Sequence, residues 1–121
     1  MRPDYQGRLK WGGKVTTFKE KSISIVSAPL ISLVPAGLYM ISVYAETGGL
    51  PGTGFVTFSV EFTSDSGAKT LGIPADLNLA AGNSSTGSAM VHAFGTINLS
   101  TTYIAAGTYS AWVLVERKEG P

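Results

Sequence analysis

The stretch Gly54-Phe55-Val56-Thr57-Phe58-Ser59-Val60-Glu61-Phe62-Thr63 decides the fold. Val56, Phe58, Val60 and Phe62 alternate strictly with Thr57, Ser59, Glu61 and Thr63. Successive side chains of a strand point to opposite faces, so this pattern specifies a strand with one face on a core and the other toward water. Asp65-Ser66-Gly67 then makes a tight turn, and Ala68 to Ile73 returns as the hairpin partner.

The same kind of run extends in both directions. Upstream, Ile23 and Ile25 alternate with Ser22 and Ser24, and Leu30 to Val34 is a short apolar run between Pro29 and Pro35. Residues 37–47 carry apolar groups on both faces, as a central strand covered on each side would. Downstream, 74–88 reads as a long connection, in which the apolar stretch 75–81 is too short for a stable helix. Runs 89–94, 96–103 and 108–118 supply the last strands. Seven or eight short strands at this spacing predict an all-β fold, an antiparallel β-sandwich of the jelly-roll kind.

One internal echo is present. Ala36-Gly37-Leu38-Tyr39 recurs as Ala106-Gly107-Thr108-Tyr109, and at the same offset Val43 matches Val113 and Glu46 matches Glu116. The match is too sparse for a repeat architecture. It reads as one local device used twice, a turn glycine leading into a strand whose tyrosine anchors one end.

Composition agrees with a β domain. The 121 residues are enough for one core without staples, and the chain has no cysteine, which excludes disulfides, thiolate metal sites and a cysteine nucleophile. Charged residues are only 14% of the chain, against about 25% in an average soluble domain, which suits a β protein with uncharged surfaces or one whose surfaces are covered by neighbours. The charge is asymmetric. Residues 1–21 hold Arg2, Arg8, Lys10, Lys14, Lys19 and Lys21 against Asp4 and Glu20, a net of +4; residues 22–115 hold Lys69 against Glu46, Glu61, Asp65 and Asp76, a net of −3. Gly7, Gly12 and Gly13 interrupt any helix in the basic part. The expected organisation is a basic extended arm over 1–21 and a β-sandwich domain over 22–121. Arg2, Arg8, Lys10, Trp11 and Lys14 are the candidate assembly residues of the arm, which orders against a partner or against the body. The polar start and the lack of any long apolar run predict synthesis without a signal peptide and no membrane partner.

Catalytic chemistry has little to build on. His92 is the only histidine and shares a strand face with Met90 and Phe94, an environment suited to packing rather than to a general base. Without cysteine it cannot complete a usual zinc site, so neither metal nor cofactor is expected. Glu46 and Glu116 hold equivalent positions in the echo and could form a carboxylate pair, although solvated strand ends are the simpler reading. Gly48 to Gly54 lacks the Gly-Lys-Ser/Thr ending of a phosphate loop and reads as a wide hairpin loop with Leu50 and Pro51 as a contact tip. Asp65 and Asp76 are too isolated for a calcium cage. Arm cations beside Tyr5 and Trp11 could meet nucleic acid, but six charges over twenty-one residues favour an assembly role. The sequence is therefore read as that of a protein that is not an enzyme.

Two strands carry a resemblance. Val34-Pro35-Ala36-Gly37-Leu38-Tyr39-Met40-Ile41-Ser42-Val43-Tyr44 resembles the opening Gly-x-Tyr strand of tumour-necrosis-factor-like and complement-head-like jelly rolls, and 106–116 resembles their closing strand. Similar strand pairs occur in small structural proteins and fibre tips of tailed bacteriophages. The resemblance spans residues 34–118. It implies a jelly roll that assembles as a homotrimer with itself and with other virion proteins, located in the virion as a capsid decoration or head-fibre-like accessory protein. The alternative it implies is a receptor- or glycan-binding module of a tail or fibre tip, working through loops 48–54 and 80–88.

The alternation makes a direct prediction. Phe58→Ala should cost about 3–5 kcal/mol, as deletion of a buried aromatic does, whereas Thr57→Ala should cost well under ~1 kcal/mol. Urea melts of the two variants check the facing; equal losses would reverse it.

Overall fold

The computed structural model describes residues 13–119, so Arg2, Arg8, Lys10 and Trp11 lie outside the described residues. Six strands form: β1 (Lys14–Lys21), β2 (Ala28–Thr47), β3 (Phe55–Ser64), β4 (Gly67–Asn78), β5 (Ser84–Ile104) and β6 (Tyr109–Glu119). They make one continuous sheet in the order β1-β6-β2-β5-β3-β4, antiparallel throughout. No helix among the described residues is long and apolar enough to cross a membrane.

Strands β2 and β5 hold 20 and 21 residues. At about 3.3 Å per residue a straight strand of that length would reach ~65 Å, far beyond a domain whose radius of gyration is about 14 Å. Both must bend, and their shared register shows where. Pro29 faces Asn98 and Gly37 faces Ala93, so eight steps along β2 span five along β5. The three extra residues are bulges, which raise local twist and turn the strand. Gly95, opposite Val34 in this corner, has φ 81, a conformation that side-chain-bearing residues rarely take. The corner folds the sheet into two layers. One holds β1, β6, residues 37–47 of β2 and residues 84–93 of β5. The other holds residues 28–34 of β2, residues 95–104 of β5, β3 and β4.

The layers meet over a single core. Phe58 on β3 and Tyr109 on β6 are three strands apart in the sheet, yet their rings pack edge to face at 6.2 Å. Ile41, Val43, Val113 and Val115 fill the space from one layer, and Val56, Val60, Ile97 and Leu99 from the other. The alternation at 54–63 holds: Val56, Phe58 and Val60 are buried, and Phe62 packs half-buried against the same core. The Asp65-Ser66 turn joins β3 to β4 as expected, with Ser64 facing Gly67.

Several expected boundaries are corrected. The runs 30–34 and 37–47 are one strand, as are 89–94 and 96–103, because bulges absorb Pro35 and Gly95 without ending the pairing. The long connection 74–88 shrinks to residues 79–83; Pro74 sits inside β4, an edge strand where its missing N–H costs no ladder bond. Residues 48–54 do not close a hairpin, since β2 and β3 are not neighbours, and instead cross between layers. The arm boundary at residue 21 also moves. Lys14–Lys21 is β1, paired with β6 from Lys14↔Val115 to Phe18↔Ala111, and Phe18 packs on the core. Three lysines on this edge oppose pairing with a foreign strand.

The Gly-x-Tyr echo is explained. Tyr39 and Tyr109 are both fully buried, and each hydroxyl ties down chain that crosses an end of the sandwich. Tyr39 donates to the Pro35 carbonyl. Tyr109 donates to the Ile23 carbonyl at 2.8 Å and meets Thr101 Oγ1 at 2.9 Å, while Thr101 Oγ1 accepts from the Ile25 N–H at 2.8 Å. Burial pushes both phenols above their usual range. Tyr109→Phe strands the Ile23 carbonyl and the Thr101 hydroxyl, so it should lower stability by about 1–3 kcal/mol. Tyr44→Phe, on the exposed side, should stay within ~0.5 kcal/mol. Urea midpoints of the two variants compare them.

Candidate functional site

The two outer faces of the sandwich differ in chemistry. On the β1-β6-β2-β5 layer, register places Trp112 beside Thr17 and Tyr44, and Tyr44 beside Thr86. In the next row Leu114 lies between Val15 and Ser42, and Ser42 lies beside Ser88. Glu116, Met40 and Met90 form a third row. Tyr44 and Trp112 stack at a tilt with ring centroids 5.7 Å apart, and the Lys19 ammonium stands 5.2 Å from the indole centroid. Small Ser42, Thr86, Gly87 and Ser88 beside these large groups leave an open groove of about 460 Å³. Val15 is 59% exposed and Met90 48%. The Tyr44 hydroxyl donates to Glu46 Oε1 at 3.0 Å, and that bond is the main reason its phenol is held above the usual range.

The outer face of the other layer is hydroxylic. Thr57 pairs with Thr102, Ser59 with Ser100 and Glu61 with Asn98. Ser27 Oγ donates to Glu61 at 2.9 Å. The middle of this face is content in water, with Phe55 and Ile104 exposed at its end, whereas the Trp112 face exposes Val15, Tyr44 and Met90 around the half-buried Trp112 and Leu114.

The two loops expected to contact partners meet at one pole. Thr47 N–H donates to Asn83 O at 3.0 Å, Gly52 N–H to Leu79 O at 2.9 Å, and Gly54 N–H to Ala106 O at 2.8 Å. The Leu50 side chain is 69% exposed, although its backbone is tied to Thr108 from both its N–H and its carbonyl. Pro51 is exposed beside it. Phe55 and Ile104 face each other at the same end and are both exposed.

Glu20 locks this pole to β1. Its carboxylate accepts from the Gly49 N–H at 2.8 Å, the Thr108 hydroxyl at 3.0 Å and the Ser110 hydroxyl at 3.4 Å. Its own N–H donates to Ser110 Oγ, and its backbone is bent to φ 47 to reach them. A Cβ on Gly48 would fall 2.3 Å from Thr108 Oγ1 and 2.6 Å from Glu20 Oε1, so this close approach requires glycine. The bond from Gly49, then that from Thr108, holds the Glu20 pKa below the usual carboxylate value.

The remaining expected residues are dispersed. Lys14 Nζ donates to the Leu30 carbonyl at 3.0 Å, so its charge serves the fold, capping β2 where that strand lies at an edge of the second layer. His92 is half-buried on the outer face, with Nδ1 3.4 Å from Ser64 Oγ. The proposed carboxylate pair does not form. Glu46 faces Ser110 and Glu116 faces Met40, six positions apart on antiparallel strands, or about 20 Å. The echo matched positions along each strand, and antiparallel pairing reversed one of them. Among the described residues no three His, Asp or Glu side chains converge as metal ligands would. In sequence the Trp112–Tyr44 pair was foreshadowed only by the apolar groups on both faces of 37–47; the meeting of the two rings depends on the β2–β6 register.

The sequence matches no protein-family model. It also matches no curated protein. Among solved structures, the globular domain of zebrafish complement 1qA superposes with a TM-score of 0.56 at 11% identity, over 90% of this chain and 98% of that one. The infectious bursal disease virus VP2 subviral particle gives 0.53 at 13% identity, over 86% of this chain and 32% of that one. The CBM22-1 xylan-binding domain of Paenibacillus barcinonensis Xyn10C gives 0.51 at 14% identity, over 91% and 84%. This chain thus spans about a third of the viral protein it resembles. At these identities the likeness establishes the fold: an all-β jelly roll of the kind found in complement heads and in a viral particle protein. The link to tailed bacteriophages rests on the short strand motifs alone.

Because the Glu20 pKa is depressed in the folded chain, its stabilisation is complete above the ordinary carboxylate pKa of 4.5 and is lost as pH falls through the lowered value. Glu20→Gln should flatten the acid side of the stability–pH profile, measured by urea midpoints between neutral pH and the acid limb. An unchanged acid limb would show that the cradle does not discriminate carboxylate from amide.

Proposed function

We propose that this domain is a non-enzymatic virion structural protein, a capsid decoration or head-fibre-like accessory of a tailed bacteriophage, that associates with itself as a homotrimer through the outer face of the β1-β6-β2-β5 layer. The observation that carries the reading is the contrast between the two outer faces. Trp112, Tyr44, Leu114, Val15 and Met90 are gathered across one, while Thr57, Ser59, Ser100 and Thr102 line the middle of the other and its exposed apolar pair, Phe55 and Ile104, sits at one end. An isolated soluble domain has no use for such an asymmetry, and closed symmetric assembly removes it by burying one patch per copy. The jelly-roll likeness to a protein of viral particles supports the virion setting. The exposed Leu50–Pro51 tip offers an apolar contact for docking on a shell, and Arg2, Arg8 and Lys10 supply basic charge in the sequence that precedes the described residues.

A second reading has one observation in its favour. A tilted Tyr–Trp pair beside Ser and Thr hydroxyls and Glu46 is also the chemistry of a sugar-stacking platform, and one structural neighbour is a xylan-binding domain. It differs from the loop-based glycan site expected from sequence, since neither loop carries an aromatic ring.

Light scattering separates the two. The intact chain should reach three times the 12.6 kDa of one copy at micromolar concentration, and Leu114→Asp should return it to 12.6 kDa without loss of fold. A monomer at all concentrations, with Trp112 emission shifted by soluble oligosaccharides, would favour the glycan platform instead.

A further inference from the structure

A three-fold contact is heterologous: each copy offers two different patches, one to each neighbour. The groove at Trp112 is one such patch. It is concave, about 460 Å³, and no charged side chain lines it. Its complement must be convex, apolar and firmly held.

The Leu50–Pro51 tip has these properties. Leu50 is 69% exposed, and no residue from 48 to 54 is charged. The donors of the tip are already spent. The N–H groups of Gly48, Gly52 and Gly54 reach the carbonyls of Thr108, Leu79 and Ala106. Those of Gly49 and Leu50 reach the Glu20 carboxylate and the Thr108 hydroxyl, and Pro51 has none. Entry of these residues into an apolar groove therefore strands no backbone donor among them. The loop is also fixed beforehand. The described chain has two non-glycine residues with positive φ, Glu20 and Ala105, and both stand at this pole. Glu20 holds the Gly49 N–H, and Ala105 leads into the carbonyl that takes the Gly54 N–H. Such strain persists only where the surroundings over-determine it, and a tip so held loses little freedom on binding.

The tip cannot enter the groove of its own chain. Leu50 is tied to Thr108 through both its N–H and its carbonyl. Trp112 lies four residues further along β6, about 13 Å away. The partner is therefore another copy. The loop joins strand ends, whereas the side chains of the groove stand perpendicular to the sheet, so each contact turns one copy by roughly a right angle to the next. A three-fold rotation exchanges three mutually perpendicular directions, so contacts of this kind close into a ring of three.

We propose that the Leu50–Pro51 tip of one copy seats in the Trp112 groove of the next, closing a head-to-side ring. This rests on the self-association reading above, and it gives to a neighbouring copy the tip that could otherwise meet a shell.

Full-length Leu50→Asp should read 12.6 kDa where the intact chain reads three times that mass, with unchanged circular dichroism. The chain has no cysteine, so introduced ones report the contact directly. Leu50→Cys and Ser88→Cys proteins, both substituted at exposed positions, are oxidised alone and as an equal mixture at an assembling concentration. The mixture should yield disulfide-linked pairs of the two variants, and each variant alone should stay unlinked. A Leu50→Asp protein that assembles like the intact chain would overturn the inference and leave the tip free for a shell. A mixture without linked pairs would overturn it too, as would Ser88→Cys protein linked to itself, which sets groove against groove. An intact chain that stays at 12.6 kDa at every concentration would instead remove the self-association reading, and the tip contact with it.

Discussion

The structure depends on one constraint: β2 and β5 must each serve two layers. Strands of 20 and 21 residues cannot run straight in a domain of this size, so three bulge residues in β2 and a left-handed Gly95 in β5 turn both at the same place. Because the two strands pair on both sides of that corner, they bend together and carry their neighbours with them. The corner sets β3 over β6 and so brings Phe58 against Tyr109. It also fixes which residues end outside, since each bulge residue resets the alternation of the strand beyond it.

That resetting explains the unequal faces. Beyond the corner, β2 presents Met40, Ser42 and Tyr44 outward and β6 presents Trp112 and Leu114 beside them. In the other layer the outward residues of β3 and β5 are Thr57, Ser59, Thr102 and Ser100. The pole that holds Glu20, Gly48 and Thr108 then secures β1 as the outer edge of the apolar layer. Val15, 59% exposed on β1, extends the apolar surface to that edge. Lys14 and Glu20, which in sequence belong to a charged arm, hold the first strand in place instead.

The sequence was legible where period and turn chemistry acted locally. Strict alternation over Val56 to Phe62 and the Asp65-Ser66-Gly67 turn gave a correct hairpin, and the paired Gly-x-Tyr motifs gave two buried anchors. It was misleading where tertiary pairing overrode a local signal. Pro35 and Gly95 look like chain breaks, yet sit within paired strands because bulges accommodate them. Lys14 to Lys21 looks like a solvated basic arm because only Phe18 on this edge strand packs against the core. The Trp112–Tyr44 pair could not be read at all without the β2–β6 register, and the same register separates Glu46 from Glu116.

The central claim is that the Trp112 face is the surface buried between copies. Hydroxyl-radical footprinting of the intact protein, compared between dilute monomer and concentrated assembly, tests it residue by residue. The account predicts strong protection of Trp112, Tyr44 and Met90 on assembly, with Phe55 and Leu71, exposed on the other layer, labelled equally in both states. Protection confined to Phe55, Ile104 or the Leu50 tip, with Trp112 and Met90 unchanged, would contradict it.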